Sequence, residues 1–181
     1  RMAEDLGLTE EEVMGNLNFT GAKYGEHIQV TMRNADGAAW FGNAPPDLSL
    51  ISRVRGSNWI YTYLKSFYLD DTRPLGWNNQ LFPNVSMPNP LWELQGLQHA
   101  EFGAPDATGE RHVERLVVTS AGVASAADFD QVVRDITNFL EYAGEPAALK
   151  RQAIGVWVIL FLVLLTFLAY LLKQEYWTDV H

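Results

Sequence analysis

The stretch from Ala153 to Leu172, AIGVWVILFLVLLTFLAYLL, carries no charge, and all but Gly155 and Thr166 are apolar. At ~1.5 Å rise per residue, twenty helical residues span ~30 Å, the hydrocarbon thickness of a bilayer. A soluble core helix rarely runs that far without a polar face. The position at the C-terminal end excludes a secretory signal peptide. Lys150 and Arg151 precede the run, Lys173 follows it, and Trp157, Tyr170, Tyr176 and Trp177 lie near its ends. Such residues favour the membrane–water interface. We therefore expect a globular domain over residues 1–149, one transmembrane anchor over 152–173 and a short tail over 174–181. Flanking charge does not orient the span.

The averages over 181 residues hide this division, since 48% hydrophobic residues and a mean hydropathy of −0.09 suit an ordinary soluble chain. Residues 150–181 hold Lys150, Arg151 and Lys173 against Glu175 and Asp179, a net +1, so of the formal −9 the preceding domain carries −10. So acidic a domain either attracts basic partners and repels acidic ones or is acidic merely to stay soluble, and composition alone does not choose between the two. It argues against nucleic acid as the main partner, because phosphates need Lys and Arg to displace their counterions. The absence of cysteine excludes disulfides, thiolate metal sites and thioether attachment of a haem within these residues.

Within the domain, Thr9 followed by Glu10, Glu11 and Glu12 reads as a capped helix start, with Val13, Met14 and Leu17 turned to a core. Ala44-Pro45-Pro46-Asp47-Leu48-Ser49 is a rigid turn in which Asp47 or Ser49 caps a helix carrying Leu48, Ile51 and Val54. Ser57 caps a second helix from Asn58 to about Tyr68, whose dense aromatic set (Trp59, Tyr61, Tyr63, Phe67, Tyr68) suits either core packing or a large flat ligand. Arg73–Pro90 holds four prolines and four asparagines, which exclude a helix or central strand. Its apolar residues argue for an ordered loop packed over something.

Leu97 to Thr119 reads as a β-hairpin around a turn-rich centre, Gly103 to Gly109. His99 and His112 fall on its two sides, without an evident third metal ligand. Ser125 to about Ala143 is an amphipathic helix. Phe129, Val132, Val133, Ile136, Phe139 and Leu140 form its stripe, and Asp130, Arg134, Asp135 and Glu141 its solvated face.

No P-loop, dinucleotide-binding glycine pattern, serine-nucleophile elbow or HExxH motif is present. The residue with distinctive chemistry is Met87, in Ser86-Met87-Pro88-Asn89-Pro90. The prolines stiffen the backbone beside a thioether, a soft ligand suited to low-spin haem iron.

Taken in order, four blocks resemble the cytochrome c1 family, membrane-anchored c-type haem subunits of ubiquinol–cytochrome c reductase (complex III). They are Ala44-Pro45-Pro46-Asp47-Leu48-Ser49 with Arg53-Val54-Arg55-Gly56; Asn84-Val85-Ser86-Met87-Pro88-Asn89-Pro90-Leu91; Thr137-Asn138-Phe139-Leu140-Glu141-Tyr142; and the anchor ending Tyr170-Leu171-Leu172-Lys173-Gln174-Glu175-Tyr176-Trp177. The resemblance is strongest to proteobacterial members. It implies a mainly α, c-type cytochrome domain with a β-hairpin insertion and one C-terminal transmembrane helix. It implies haem c as cofactor, with Met87 as the axial iron ligand and Arg55 facing a haem propionate. Trp59 and Tyr61 would line the pocket, and Pro45 and Pro46 would shape its wall. The family's CxxCH attachment motif has no counterpart here, and we expect it upstream of Arg1.

By the same resemblance, the chain relays single electrons from the Rieske iron–sulfur protein to cytochrome c, as a subunit of a quinol–cytochrome c oxidoreductase in a respiratory chain. Cytochrome b and the Rieske protein in a dimeric complex would be its partners, with the lipid bilayer. It would sit in the bacterial inner membrane with the haem domain in the periplasm and the tail cytoplasmic. A haemless anchored assembly subunit, and an anchored c-type carrier outside complex III, are the alternative readings.

Overall fold

The computed structural model describes residues 1–27, 29–107, 109 and 111–178. Two tip residues of the expected hairpin, Thr108 and Glu110, and the tail residues Asp179, Val180 and His181 lie outside the described residues. The chain divides into two units, Arg1–Pro46 and Asp47–His181.

The first unit holds three short helices, α1 (Met2–Leu6), α2 (Glu10–Asn16) and α3 (Asn34–Phe41). As the sequence predicts, Thr9 caps α2: its side chain accepts from the Glu12 amide while Glu12 reaches back to the Thr9 amide at 2.8 Å. That reciprocal box satisfies two of the unpaired amides at the helix start. Val13, Met14 and Leu17 line a cavity of about 550 Å³ within this unit.

The second unit begins with α4 (Ile51–Arg55) and α5 (Ser57–Lys65), joined by Gly56. Gly56 has φ +86°, which a residue with a Cβ rarely adopts, and so the two helices turn sharply at that point. Both expected caps differ from the structure. Asp47 closes a turn on the Ser49 amide (2.8 Å) and hydroxyl (2.6 Å), and α4 starts later, after Leu50. The Ser57 hydroxyl donates instead to Glu141 at 2.7 Å. Helix α5 also stops before Phe67, because Phe67–Leu69 forms strand β1. The carbonyl of Lys65, left unpaired at the end of α5, is taken by the side-chain amides of Gln95 (3.0 Å) and Gln98 (3.2 Å).

Strand β1 pairs antiparallel with β2 (Trp77–Asn79), a short strand inside the stretch expected to hold no central strand. It survives there because the sheet has only two strands and the prolines lie outside it. A one-turn helix, α6 (Trp92–Gln95), leads into the hairpin of β3 (Gly96–Phe102) and β4 (Val113–Ala121), as the turn-rich centre predicts. His99 pairs with Val117 in that ladder, whereas His112 lies 3.0 Å from Asp106. The two histidines are not brought together, and no group of three metal-ligating side chains exists among the described residues.

Helix α7 (Ala126–Gly144) starts as its sequence predicts, with the Ser125 side chain accepting from the Asp128 amide at 3.1 Å. Phe129 and Val133 meet Ile60 and Leu64 of α5 in the core, with Ile51, Leu91, Leu94, Ile136 and Leu140 packed around them. Each such side chain contributes about 1.5–3 kcal/mol on burial. Three residues (Glu145, Pro146, Ala147) then lead to α8 (Ala148–Trp177), where Arg151 returns to Glu145 at 2.5 Å. Lys150–Trp177 is long and apolar enough to cross a membrane, with mean hydropathy 2.7 and none of it buried. The fold is thus a mainly α domain with a β-hairpin and one C-terminal apolar helix.

The base of the hairpin is a backbone-on-backbone contact. Val123 and Ala124 donate to the carbonyls of Glu93 (2.9 Å) and Leu94 (3.3 Å), and a Cβ on Gly122 would lie 2.2 Å from the Leu94 oxygen. That tie fixes α6, and the loop before it, against the entry to α7. Gly122→Ala forces backbone atoms apart and is expected to destabilise the domain by about 1–3 kcal/mol or more, read as a lower unfolding midpoint of the detergent-solubilised protein.

Candidate functional site

The loop from Arg73 to Pro90 is built by its asparagines. Asn79 is fully buried. Its side-chain nitrogen donates to the Tyr63 carbonyl on α5 at 2.8 Å, and its side-chain oxygen accepts from the amides of Leu81 (2.9 Å) and Phe82 (3.1 Å). The Asn78 oxygen accepts from the Asn84 amide at 2.8 Å. Asn84 sits in the left-handed region at φ +65°, where the Arg73 guanidinium holds its carbonyl (2.9 Å) and side-chain oxygen (3.2 Å). Asn89, also buried, accepts from the Leu91 amide (2.9 Å) and donates to Gln95 (2.8 Å). Residue types that break regular structure here supply the hydrogen bonds that replace it.

This scaffold presents Met87 at the surface, 37% exposed, with its sulfur 3.4 Å from the Tyr63 hydroxyl. Tyr63 stacks on Trp59 at 4.8 Å between ring centres, and Trp59 meets the edge of Phe82 at 6.2 Å. The Arg55 guanidinium lies over both rings, 5.0 Å from Trp59 and 5.4 Å from Phe82. Among the described residues no carboxylate lies within ion-pair distance of Arg55. Arg55, Trp59 and Met87 thus form one patch: a cation, flat apolar walls and a soft sulfur. Such a surface can receive a large flat apolar molecule with an anionic edge. Tyr63 and Phe82 complete it. The four-residue spacing of Trp59 and Tyr63 is the signal that could have found the tyrosine. Phe82 gives no such signal, because its place depends on Asn79.

Tyr61 is not brought to this patch. Its hydroxyl bonds to Asp130 on α7, and Lys65 reaches both Tyr61 (2.9 Å) and Asp130 (2.5 Å). Arg134 holds the other oxygen of Asp130 at 2.6 Å. The face expected to be solvated is therefore, at Asp130, a charged joint between α5 and α7. Pro45 and Pro46 lie in the first unit, exposed to solvent, where a Cβ on Gly37 of α3 would come within 2.8 Å of Pro45.

The Lys65 ammonium, then the Tyr61 hydroxyl, lower the Asp130 carboxyl from its ordinary 3.8 to about 2. Burial works to lower Lys65, but its bonds to Asp130 and Tyr61 outweigh this and raise it. Burial pushes the Tyr63 phenol up to about 12.

A model of the cytochrome C1 family matches residues 114–180. The chain is 52% identical to cytochrome c1 of Allochromatium vinosum, over all of this chain and 75% of that protein. It is 43% identical to a protein of Nitrosomonas europaea named ammonia monooxygenase gamma subunit, over 98% of this chain and 72% of that one. It is 30% identical to cytochrome c1 of Rhodospirillum rubrum, over 86% of this chain and 58% of that protein.

Two measurements check this geometry. Asn79→Ala leaves a buried carbonyl and two amides without partners and is expected to cost on the order of 3 kcal/mol, with faster proteolysis between residues 80 and 87. The Asp130 pairs contribute fully above pH 3.8, and that stability is lost as the pH falls through this value towards about 2. Asp130→Asn is therefore expected to flatten the acid limb of a stability–pH profile.

Proposed function

This chain belongs to the cytochrome c1 family, haem electron-transfer subunits of the cytochrome b–c1 complex, and on that footing we propose that it takes single electrons from the Rieske iron–sulfur protein and passes them to a cytochrome c. The bc1 complex is an oxidoreductase, and the part we assign to this subunit is the relay. When bound, a c-type haem supplies a one-electron Fe(III)/Fe(II) couple.

The observation that carries the reading is the patch that joins Met87, Arg55 and Trp59. Its residues fit the group. Met87 offers a sulfur at the surface, and a thioether ligand favours the ferrous state and so a high potential. Arg55 has no carboxylate of the described residues within ion-pair distance, so its guanidinium is available to a propionate. Trp59 and Phe82 give the apolar wall. The 181 residues contain no cysteine, so the proposal assigns them one axial ligand and part of the pocket, not the covalent attachment.

The acidic domain supports the choice of acceptor. A charge of −10 on residues 1–149 raises the local concentration and the association rate of a basic partner, an effect that weakens as salt rises. We place the domain on the periplasmic side of a bacterial inner membrane, with cytochrome b and the Rieske protein as neighbours in a dimeric complex.

The test uses the full-length, haem-loaded protein in its membrane. Met87→Leu is expected to abolish the methionine-to-iron charge-transfer band and to lower the midpoint potential sharply. An unchanged spectrum means that the axial ligand lies elsewhere. Copurification of the chain with cytochrome b and the Rieske protein separates the relay in complex III from a free-standing anchored carrier.

A further inference from the structure

The Met87 sulfur meets a hydrogen-bond donor that is held on three sides. Tyr63 lies flat on Trp59, with ring planes 11° apart, and Phe67 meets its ring at 5.0 Å and 67°. Its backbone carbonyl is held by the buried Asn79 amide at 2.8 Å. Helix α5 itself is clamped to α7 by the core and by the Lys65–Asp130 pair at 2.5 Å. The phenol therefore has little freedom to swing away, and its hydroxyl points at the sulfur from 3.4 Å. Among the described residues no other donor reaches that sulfur.

We propose that Tyr63 is a positioning residue for Met87, fixing the direction of the thioether and tuning the potential of the iron to which Met87 would bind. The inference rests on the reading of Met87 as an iron ligand.

A thioether sulfur has two lone pairs and is a weak acceptor. With one pair engaged by the Tyr63 hydroxyl, the other is left for a metal, and the rotation of the methyl–sulfur end is restricted. Partners of a ligand that themselves touch no metal orient it and adjust how much charge it donates. A hydrogen bond draws electron density from the sulfur and makes it a poorer donor. Ferric iron, the more charged state, loses more by this than ferrous iron. The hydroxyl thus raises the potential above the value that methionine alone would set.

Trp59 and Tyr63 lie one helical turn apart, while Met87 comes from a loop 24 residues on. The Asn79 side chain joins the loop to α5, together with the β1–β2 ladder and the contact of Phe82 with Trp59.

The experiment is a comparison of variants in the full-length, haem-loaded protein, with haem content measured for each. Tyr63→Phe keeps the stack on Trp59 and the contact with Phe67 and removes only the hydroxyl. It is expected to retain haem and the charge-transfer band, to displace that band and to lower the midpoint potential. Replacement of Tyr63 by 3,5-difluorotyrosine keeps the ring and makes the hydroxyl a stronger donor. Measured at mildly acidic pH, where the fluorinated phenol stays protonated, it should raise the potential.

Opposite shifts in the two variants support the inference, because loosened packing would not move the potential both ways. A Tyr63→Phe protein with wild-type potential and band, in a background where Met87→Leu loses the band, overturns it and leaves the Met87 reading intact. If Met87→Leu keeps the band, the ligand reading itself fails, and this inference with it. If Tyr63→Phe binds no haem, the fluorinated protein decides, and an unchanged potential there overturns the proposal.

Discussion

The buried side chain of Asn79 is the interaction on which the exposed patch depends. Its two polar atoms join α5 to the turn that starts the Met87 loop: the nitrogen takes a helix carbonyl, the oxygen takes two successive loop amides. No apolar side chain of the same volume could do this, because each of those backbone groups would be buried without a partner. Since Asn79 is fully enclosed, the geometry is shielded from competing water. The loop's outer asparagines extend the same principle, and Arg73 seals it across Asn84.

Helix α5 carries three different tasks on three sides, as its 3.6-residue period allows. Ile60 and Leu64 face the core with Phe129 and Val133. Trp59 and Tyr63 face the Met87 loop. Tyr61 and Lys65 face Asp130 of α7. Each pair is one turn apart. Because the apolar and charged contacts both join α5 to α7, the aromatic side is held against a support that neither interaction alone would fix in rotation about the helix axis.

Much of this was legible in the sequence, and the physical reasons are instructive. The anchor, the hairpin and α7 rest on strong local signals: a long uncharged run, a turn-rich centre between two strands, and a capping serine before an apolar stripe. Met87 was marked by residue type and neighbouring prolines. The ends of α5 were missed because they are decided from a distance. Its last carbonyl is satisfied by glutamines of α6 and β3, and the strand that follows it exists only by pairing with Trp77–Asn79. Tyr61 and Tyr63 look alike in composition, yet a rotation of two residues sends one to Asp130 and the other to Met87. The asparagines read correctly as breakers of regular structure, but what each would bond to is a tertiary fact.

The joint between α7 and the apolar helix has a mechanical meaning. Glu145, Pro146 and Ala147 can span ~10 Å at full stretch, and Arg151 folds that joint back onto Glu145, with Arg53 of α4 close by at 3.8 Å. A proline and a charged latch in so short a link restrict bending between α7 and the apolar helix. The two helices are thereby coupled in direction: a tilt of one is passed to the other rather than taken up in the link.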